Sequence, residues 1–193
     1  PLDAEAGFLF DVDSDRLAIA TEQGRPVSEE MILPLLADHL LPRGPGKLVI
    51  TNLSSTALTE EVAARHGGRV IRVPVGRAAA MDALATYPPE EIAVAGEGTG
   101  AVMMPQFRFI YDGIASMLAI LTMIHERQQP LSEIVAGYPR YSMLKGQVPL
   151  GFLVASLAIL VSLATSVVMW RKRKPDGLGA PRRPPSKRAS LLM

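Results

Sequence analysis

The sequence predicts an α/β domain built on a mixed or largely parallel sheet, followed by an apolar helix and a disordered basic tail. Three observations lead to this. Short β-like runs alternate with helix-like runs from residue 7 to about residue 146, as in chains that wind a sheet between helices. Residues 150–170 then contain no charge at all, and from Arg171 onward eight Lys or Arg accompany a single acid, Asp176, among prolines. With 193 residues, 48% hydrophobic and 20% charged, the chain is long enough to bury a sizeable core. It has no cysteine, which excludes a disulfide framework, a thiolate metal site and a cysteine nucleophile. The net charge of +1 conceals an acidic body and a basic end.

In chain order, strands are expected at 7–10, 17–21, 47–51, 69–73 and 91–95, each a short β-branched or apolar run bounded by polar residues. Ser28 with Glu30 opens a helix to about Leu41, and Ser55 with Thr59, Glu60 and Glu61 opens a second that stops at Gly67 and Gly68. A third covers about 78–85. Asp112 heads a long apolar-periodic helix to about Glu126, and Ser132 with Glu133 starts a short one. The turn cluster PRGPG at 42–46 marks a subdomain boundary. Leu150 to Trp170, about 20 uncharged residues at ~1.5 Å each, is long enough to cross a ~30 Å hydrocarbon core, with Trp170 and RKRK as its interface flank. A buried core helix is the competing reading. The tail, Pro- and Arg-rich, has the composition of a disordered segment. Opening on Pro1 without a signal segment, the chain is expected to be a piece of a longer protein.

The stretch FDVDSDRLAI places Asp11, Asp13 and Asp15 at alternate positions and follows them with Arg16. Three like charges so crowded repel one another, and a hard divalent cation taking one oxygen from each removes the conflict. Two other readings compete. An EF-hand would use Asp11, Asp13, Asp15 and Glu22 at loop positions one, three, five and twelve, but Arg16 stands where that loop needs glycine and the flanks are β-like. A plain polar turn would use the aspartates to accept backbone N–H bonds.

Some eighty residues later GEGTG, Gly96 to Gly100, follows the strand EIAVA and so lies at a strand's carboxyl end, where open α/β sheets bind ligands. Its glycines allow close backbone approach, and Glu97 and Thr99 offer a carboxylate and a hydroxyl suited to sugar hydroxyls. Taken with TNLSSTALTEEVAARHGGRVIRVPVG, YDGIASMLAILTMI and PLSEIVAGYPRYSMLKGQVPL, these loops resemble the α-D-phosphohexomutase family: phosphomannomutases, phosphoglucomutases and phosphoglucosamine mutases. The resemblance spans nearly all of 7–148 and implies a mixed-sheet phosphohexomutase-type domain. It assigns Asp11, Asp13 and Asp15 to Mg²⁺, Arg16 to a phosphate, and Glu97 and Thr99, with Gly96 and Gly98, to the hexose. The turn VPVG resembles another active-site turn, with Arg77 its loosely matching basic neighbour. The chemistry agrees, because phosphoryl transfer requires negative charge to be neutralised by a cation and an Arg fork.

The resemblance divides the chain into the end of a second mutase domain (1–42), a third mutase domain (43–148), the apolar segment (149–170) and the basic tail (171–193). The partners it implies are mannose, glucose or glucosamine phosphate and the other mutase domains of a full-length protein, in a cytoplasmic setting. A family enzyme brings its phosphoserine on a first domain and a phosphate-gripping loop on a fourth. Neither motif is present here, so this chain alone is expected to be inactive. Two readings therefore stand: part of a Mg²⁺-dependent mutase that interconverts hexose 1- and 6-phosphates, or a non-catalytic remnant anchored to a membrane through 150–170. No nucleic-acid readout is expected. His39, His66 and His125 read as surface or helix-end residues, the methionines at 103, 104, 117 and 123 as packing, and Ser54–Ser55 lacks the glycines of a nucleophile elbow.

Overall fold

The structure, a computed structural model, describes residues 3–142 and 150–172. The tail from 173 and the connection 143–149 lie outside the described residues, and with them the disorder expected of the tail. The chain divides into two units, Pro1–Lys145 and Gly146–Met193.

The first unit begins with an antiparallel sheet, β1 (Ala6–Phe10), β2 (Leu17–Thr21) and β3 (Pro26–Val27), in that order. A 3-10 turn, Glu29–Met31, leads into α1 (Ile32–Leu40). Pro34 is tolerated there because it falls in the first turn, where its missing N–H has no intrahelical partner to lose. The second sheet takes the order β5-β4-β6-β7. Its β4 (Leu48–Asn52), β5 (Arg69–Val73) and β6 (Ile92–Gly96) are parallel, and β7 (Val102–Met103) turns back against β6. The five expected strands are all present. The sequence misses β3 and β7, two residues each, because neither is long enough to display a period.

Both β4 and β6 are buried at every position, as central strands covered on both faces must be. Alternate residues of β4 serve opposite layers. Val49 joins Leu33, Leu36, Val62, Ile120 and Met123, which come from α1, α2 (Leu58–Arg65) and α4 (Gly113–Arg127). Leu48 and Ile50 join Leu84 of α3 (Arg77–Thr86) with Ile92 and Met103 on the other face. The first cluster also contains Leu17, Ile19 and Val27, so one hydrophobic core continues across the divide expected at 42/43. Met123 is buried in the first cluster with Met104 and Met117 packed against it, and Met103 is buried in the second.

Asp112 caps α4 as its position suggests, its Oδ1 accepting from Ala115 N at 2.9 Å. The other expected caps are diverted. Ser28 makes no side-chain cap bond, α2 starts at Leu58, and the Ser55 hydroxyl bonds Asn52 and the Gly98 N–H instead. Gly67 at φ 64° ends the turn beyond α2, where the Gly68 N–H donates to Ala63 O at 2.8 Å. The short α5 (Leu131–Ala136) receives its carboxylate from a distant turn: Glu22 accepts from Ser132 N at 3.1 Å and from its hydroxyl.

His39 departs from expectation. It is buried on α1, and burial holds its imidazole below the usual histidine range. Beside it Asp38 accepts hydrogen bonds from Tyr138 Oη at 2.6 Å, from His66 Nε2 at 2.7 Å and from Arg127. Burial opposes ionisation of Asp38, but those donors and the Arg127 charge outweigh it and hold the carboxyl at about 2, down from its ordinary 3.8. A depressed carboxyl stabilises the fold above the unfolded value and loses that stability as pH falls toward the folded value. Asp38→Asn is therefore expected to cost about 2 kcal/mol at pH 7 and far less near pH 2, read by urea unfolding at both. An equal cost at the two pH values would exclude the charge as the cause.

The second unit carries α6 (Leu150–Lys172), where the sequence places its apolar helix. Its side chains are described from Val154 to Met169 and are exposed. Among the described residues no helix is long and apolar enough to cross a membrane, so the membrane contact and anchored localisation expected through 150–170 gain no support.

Candidate functional site

The acidic loop is the connection between β1 and β2. It doubles back at Ser14, which takes a left-handed φ of 60° and donates its N–H to Asp11 O at 3.2 Å. One carboxylate oxygen from each of Asp11, Asp13 and Asp15 lies within 4.8 Å of the others. Arg16 folds onto the same group: its N–H donates to Asp11 Oδ1 at 3.2 Å, and its Nε lies 3.8 Å from Asp11 and 3.9 Å from Asp15. Desolvation pushes Asp11 up, but the Arg16 N–H, the neighbouring Asp15 and the Arg16 charge prevail and hold it below the ordinary carboxylate range. Asp15 is pushed the other way, first by desolvation and then by the charges of Asp13 and Asp11.

Asp15 Oδ1 is buried and has no hydrogen-bond partner among the described residues. The Arg16 Nε at 3.9 Å is too far to donate to it, and a hard divalent cation suits three converging carboxylates. The plain polar turn accounts for Asp11, which accepts a backbone N–H, and leaves Asp15 unexplained. The EF-hand reading is overturned. The loop is flanked by two paired strands, and Glu22 is committed to Ser132.

The glycine-rich loop joins β6 to β7 and is closed by the Glu97 N–H donating to Ala101 O at 2.9 Å. Tertiary pairing sews it to the acidic loop. Leu17 N donates to Gly100 O at 3.1 Å, and Arg16 forms an antiparallel bridge with Ala101. The head of α4 completes the junction: Gly113 N donates to Ser14 O at 2.9 Å and Asp112 N to Val102 O at 3.0 Å. Gly100 has a left-handed φ of 81°, and a Cβ there would overlap the Leu17 carbonyl. A Cβ at Gly98 would overlap the Glu30 carboxylate, and one at Gly96 would press on Ala101 O at 2.9 Å. The close approach these glycines allow is thus to the protein's own chain.

Thr99 Oγ1 is buried without a hydrogen-bond partner among the described residues. Glu97 is held by a residue the sequence did not single out, Tyr111, whose hydroxyl donates to Glu97 Oε1 at 3.3 Å. Burial, then the Glu97 charge and hydrogen bond, push the Tyr111 phenol up to about 12, so it stays a donor at neutral pH. The charges of Arg77 and Asp15 also reach that hydroxyl. Arg77 itself is exposed at the first position of α3. Nothing local marks Tyr111; only folding brings the residue before the Asp112 cap to Glu97. A larger cleft, about 1250 Å³, touches the loop at Gly98 but is lined by none of the aspartates, Glu97 or Thr99.

These features describe an open α/β domain with an acidic loop and a glycine-rich loop joined beside its parallel sheet. The model of phosphoglucomutase/phosphomannomutase, alpha/beta/alpha domain III, matches residues 28–141. The "Probable phosphoglucosamine mutase" of Thermococcus kodakarensis is 35% identical over 147 residues, covering 76% of this chain and 32% of that protein. The phosphoglucosamine mutase of Desulfovibrio desulfuricans is 31% identical over 133 residues, covering 68% and 29%. Among solved structures, a phosphoglucomutase/phosphomannomutase family protein from Burkholderia thailandensis superposes with a TM-score of 0.62 at 28% identity, over 72% of this chain and 30% of that one. The chain belongs to the α-D-phosphohexomutase family. It spans about a third of the length of the curated relatives it matches.

Proposed function

We propose that this chain supplies the metal loop and the sugar-recognition loop of a phosphohexomutase that interconverts hexose 1- and 6-phosphates through a phosphoserine and a bisphosphorylated sugar. The observation that carries the reading is the junction itself: the Leu17 N–H to Gly100 O bond and the antiparallel bridge that pairs Arg16 with Ala101 hold the two loops as neighbours. Asp11, Asp13 and Asp15 would hold Mg²⁺, which supplies charge neutralisation at a transferring phosphate. Arg16 is the phosphate contact. Its guanidinium is largely exposed and spends only long ion pairs on the aspartates, so it can reach outward.

Glu97 accepts from a sugar hydroxyl, and the Tyr111 hydroxyl fixes the orientation of its carboxylate. Thr99 supplies a donor and an acceptor to a second hydroxyl, and Gly96 and Gly98 give the loop its close-packed path. Arg77 adds positive charge at the rim, where its field already reaches Tyr111. The phosphoserine and the grip on the substrate's second phosphate would come from other mutase domains of the protein. The names of the curated relatives favour glucosamine phosphate over mannose or glucose phosphate.

Titration with glucosamine 6-phosphate, mannose 6-phosphate and glucose 6-phosphate in the presence of Mg²⁺ tests this reading. The amide resonances of 11–16 and 96–100 are expected to shift together. Glu97→Gln is expected to weaken binding by about 10-fold or more, the cost of losing a charge-assisted hydrogen bond. If none of the three sugars moves residues 96–100, the assignment fails.

A further inference from the structure

Ser55 sits where the sequence expects a helix cap, yet its hydroxyl serves the glycine-rich loop. It is buried, donates to Asn52 Oδ1 at 2.9 Å and accepts from the Gly98 N–H at 2.9 Å. Asn52 Oδ1 gathers the turn beneath it, accepting also from the N–H and hydroxyl of Ser54, both at 3.0 Å. That turn is braced from the neighbouring strand. On β5, the Arg72 guanidinium grips both oxygens of Glu60, at 2.6 and 2.8 Å, and donates to the carbonyls of Asn52, Ser55 and Thr56 at 2.9, 2.9 and 3.0 Å. These bonds use each guanidinium nitrogen, so Arg72 is committed to fixing this turn rather than to a ligand. Glu30 closes the assembly: its Oε2 accepts from Thr56 N at 2.8 Å and its carboxylate fills the space beside the Gly98 Cα.

We propose that Ser55 is a positioning residue for the glycine-rich loop, itself set in place by Arg72, so that Glu97 and Thr99 meet the sugar from a loop already ordered. The consequence for binding rests on the reading of 96–100 as the sugar-recognition loop. Without the Ser55 hydroxyl the Gly98 N–H loses its acceptor and Asn52 loses a donor, and the loop keeps its ties at Glu97 and Gly100 but loses the anchor at its middle.

The test is amide hydrogen exchange on the full chain, paired with glucosamine 6-phosphate titration. Ser55→Ala is expected to speed exchange at 96–100 by about 5- to 10-fold, the factor expected for one buried hydrogen bond, with 48–52 and 113–127 unchanged. Ser55→Thr keeps the hydroxyl and restores protection. Arg72→Lys keeps the charge but not the fork, and loosens the same loop. Affinity for glucosamine 6-phosphate falls with Ser55→Ala by a similar factor. Unchanged exchange at 96–100 in both Ser55→Ala and Arg72→Lys overturns the positioning role, whatever the protein binds. A loosened loop with unchanged affinity overturns it too, because loop order is then not what the sugar reads. A loosened loop in a protein whose wild type binds none of the three hexose phosphates upholds the positioning and overturns the sugar reading alone.

Discussion

Asp13→Ala is expected to remove the response of this protein to Mg²⁺ while leaving the metal-free fold as stable as before or slightly more so. Asp13 is exposed, and its charge is one of those that push Asp15 up, so its removal relieves repulsion in the loop. The wild-type protein, if the three carboxylates hold a cation, gains about 2.7 kcal/mol when Mg²⁺ is present at 100 times its Kd. Removing one of three ligands should weaken binding by more than the 10- to 100-fold that changes around a metal site commonly cost, leaving no gain at the same concentration. Thermal unfolding of both proteins with and without MgCl₂ decides the matter. Equal upward shifts in the two would remove the metal from the acidic loop.

The second large effect concerns the junction. Gly100→Ala adds a methyl where the backbone is left-handed at φ 81° and where that methyl overlaps the Leu17 carbonyl. The conformational cost is about 1 kcal/mol and the steric cost about 1–3, so a loss near 3 kcal/mol is expected in denaturant unfolding. Because Gly100 O accepts from Leu17 N, the same change should speed exchange at Leu17 and blunt the Mg²⁺ response of the neighbouring acidic loop. Gly24→Ala is the control. It has a similar φ of 72° with nothing within 4 Å of the added Cβ, so only the cost of about 1 kcal/mol applies. Equal costs at the two glycines would show that the junction is not tightly packed.

Much of the fold could be read in advance because its signals are local. Runs such as LVITN and IAVAG are apolar because both faces of a central strand are covered, and Asp112 announces α4 because a cap acts on N–H groups within its own turn. Asp11, Asp13 and Asp15 were legible for a related reason: their repulsion exists in the sequence itself. His39 was misjudged since nothing in ADHL reveals that its side chain is enclosed. Ser55 was misjudged because a hydroxyl near a helix start has a local use, and the competing acceptor role lies 43 residues away at Gly98.

The sequence alone therefore determined the order of the longer strands and helices, the acidic loop, the glycine-rich loop and the family likeness, all of which depend on residue types and short spacings. The tertiary structure decided which side chains serve those loops. Tyr111 reaches Glu97, Arg72 braces the turn that carries Ser55, Glu22 pairs with Ser132 rather than with the acidic loop, and Gly100 lies beneath Leu17. Each of these pairings joins residues far apart in the chain, and the energy of a hydrogen bond or a steric contact is set by distance in space, which residue order does not record.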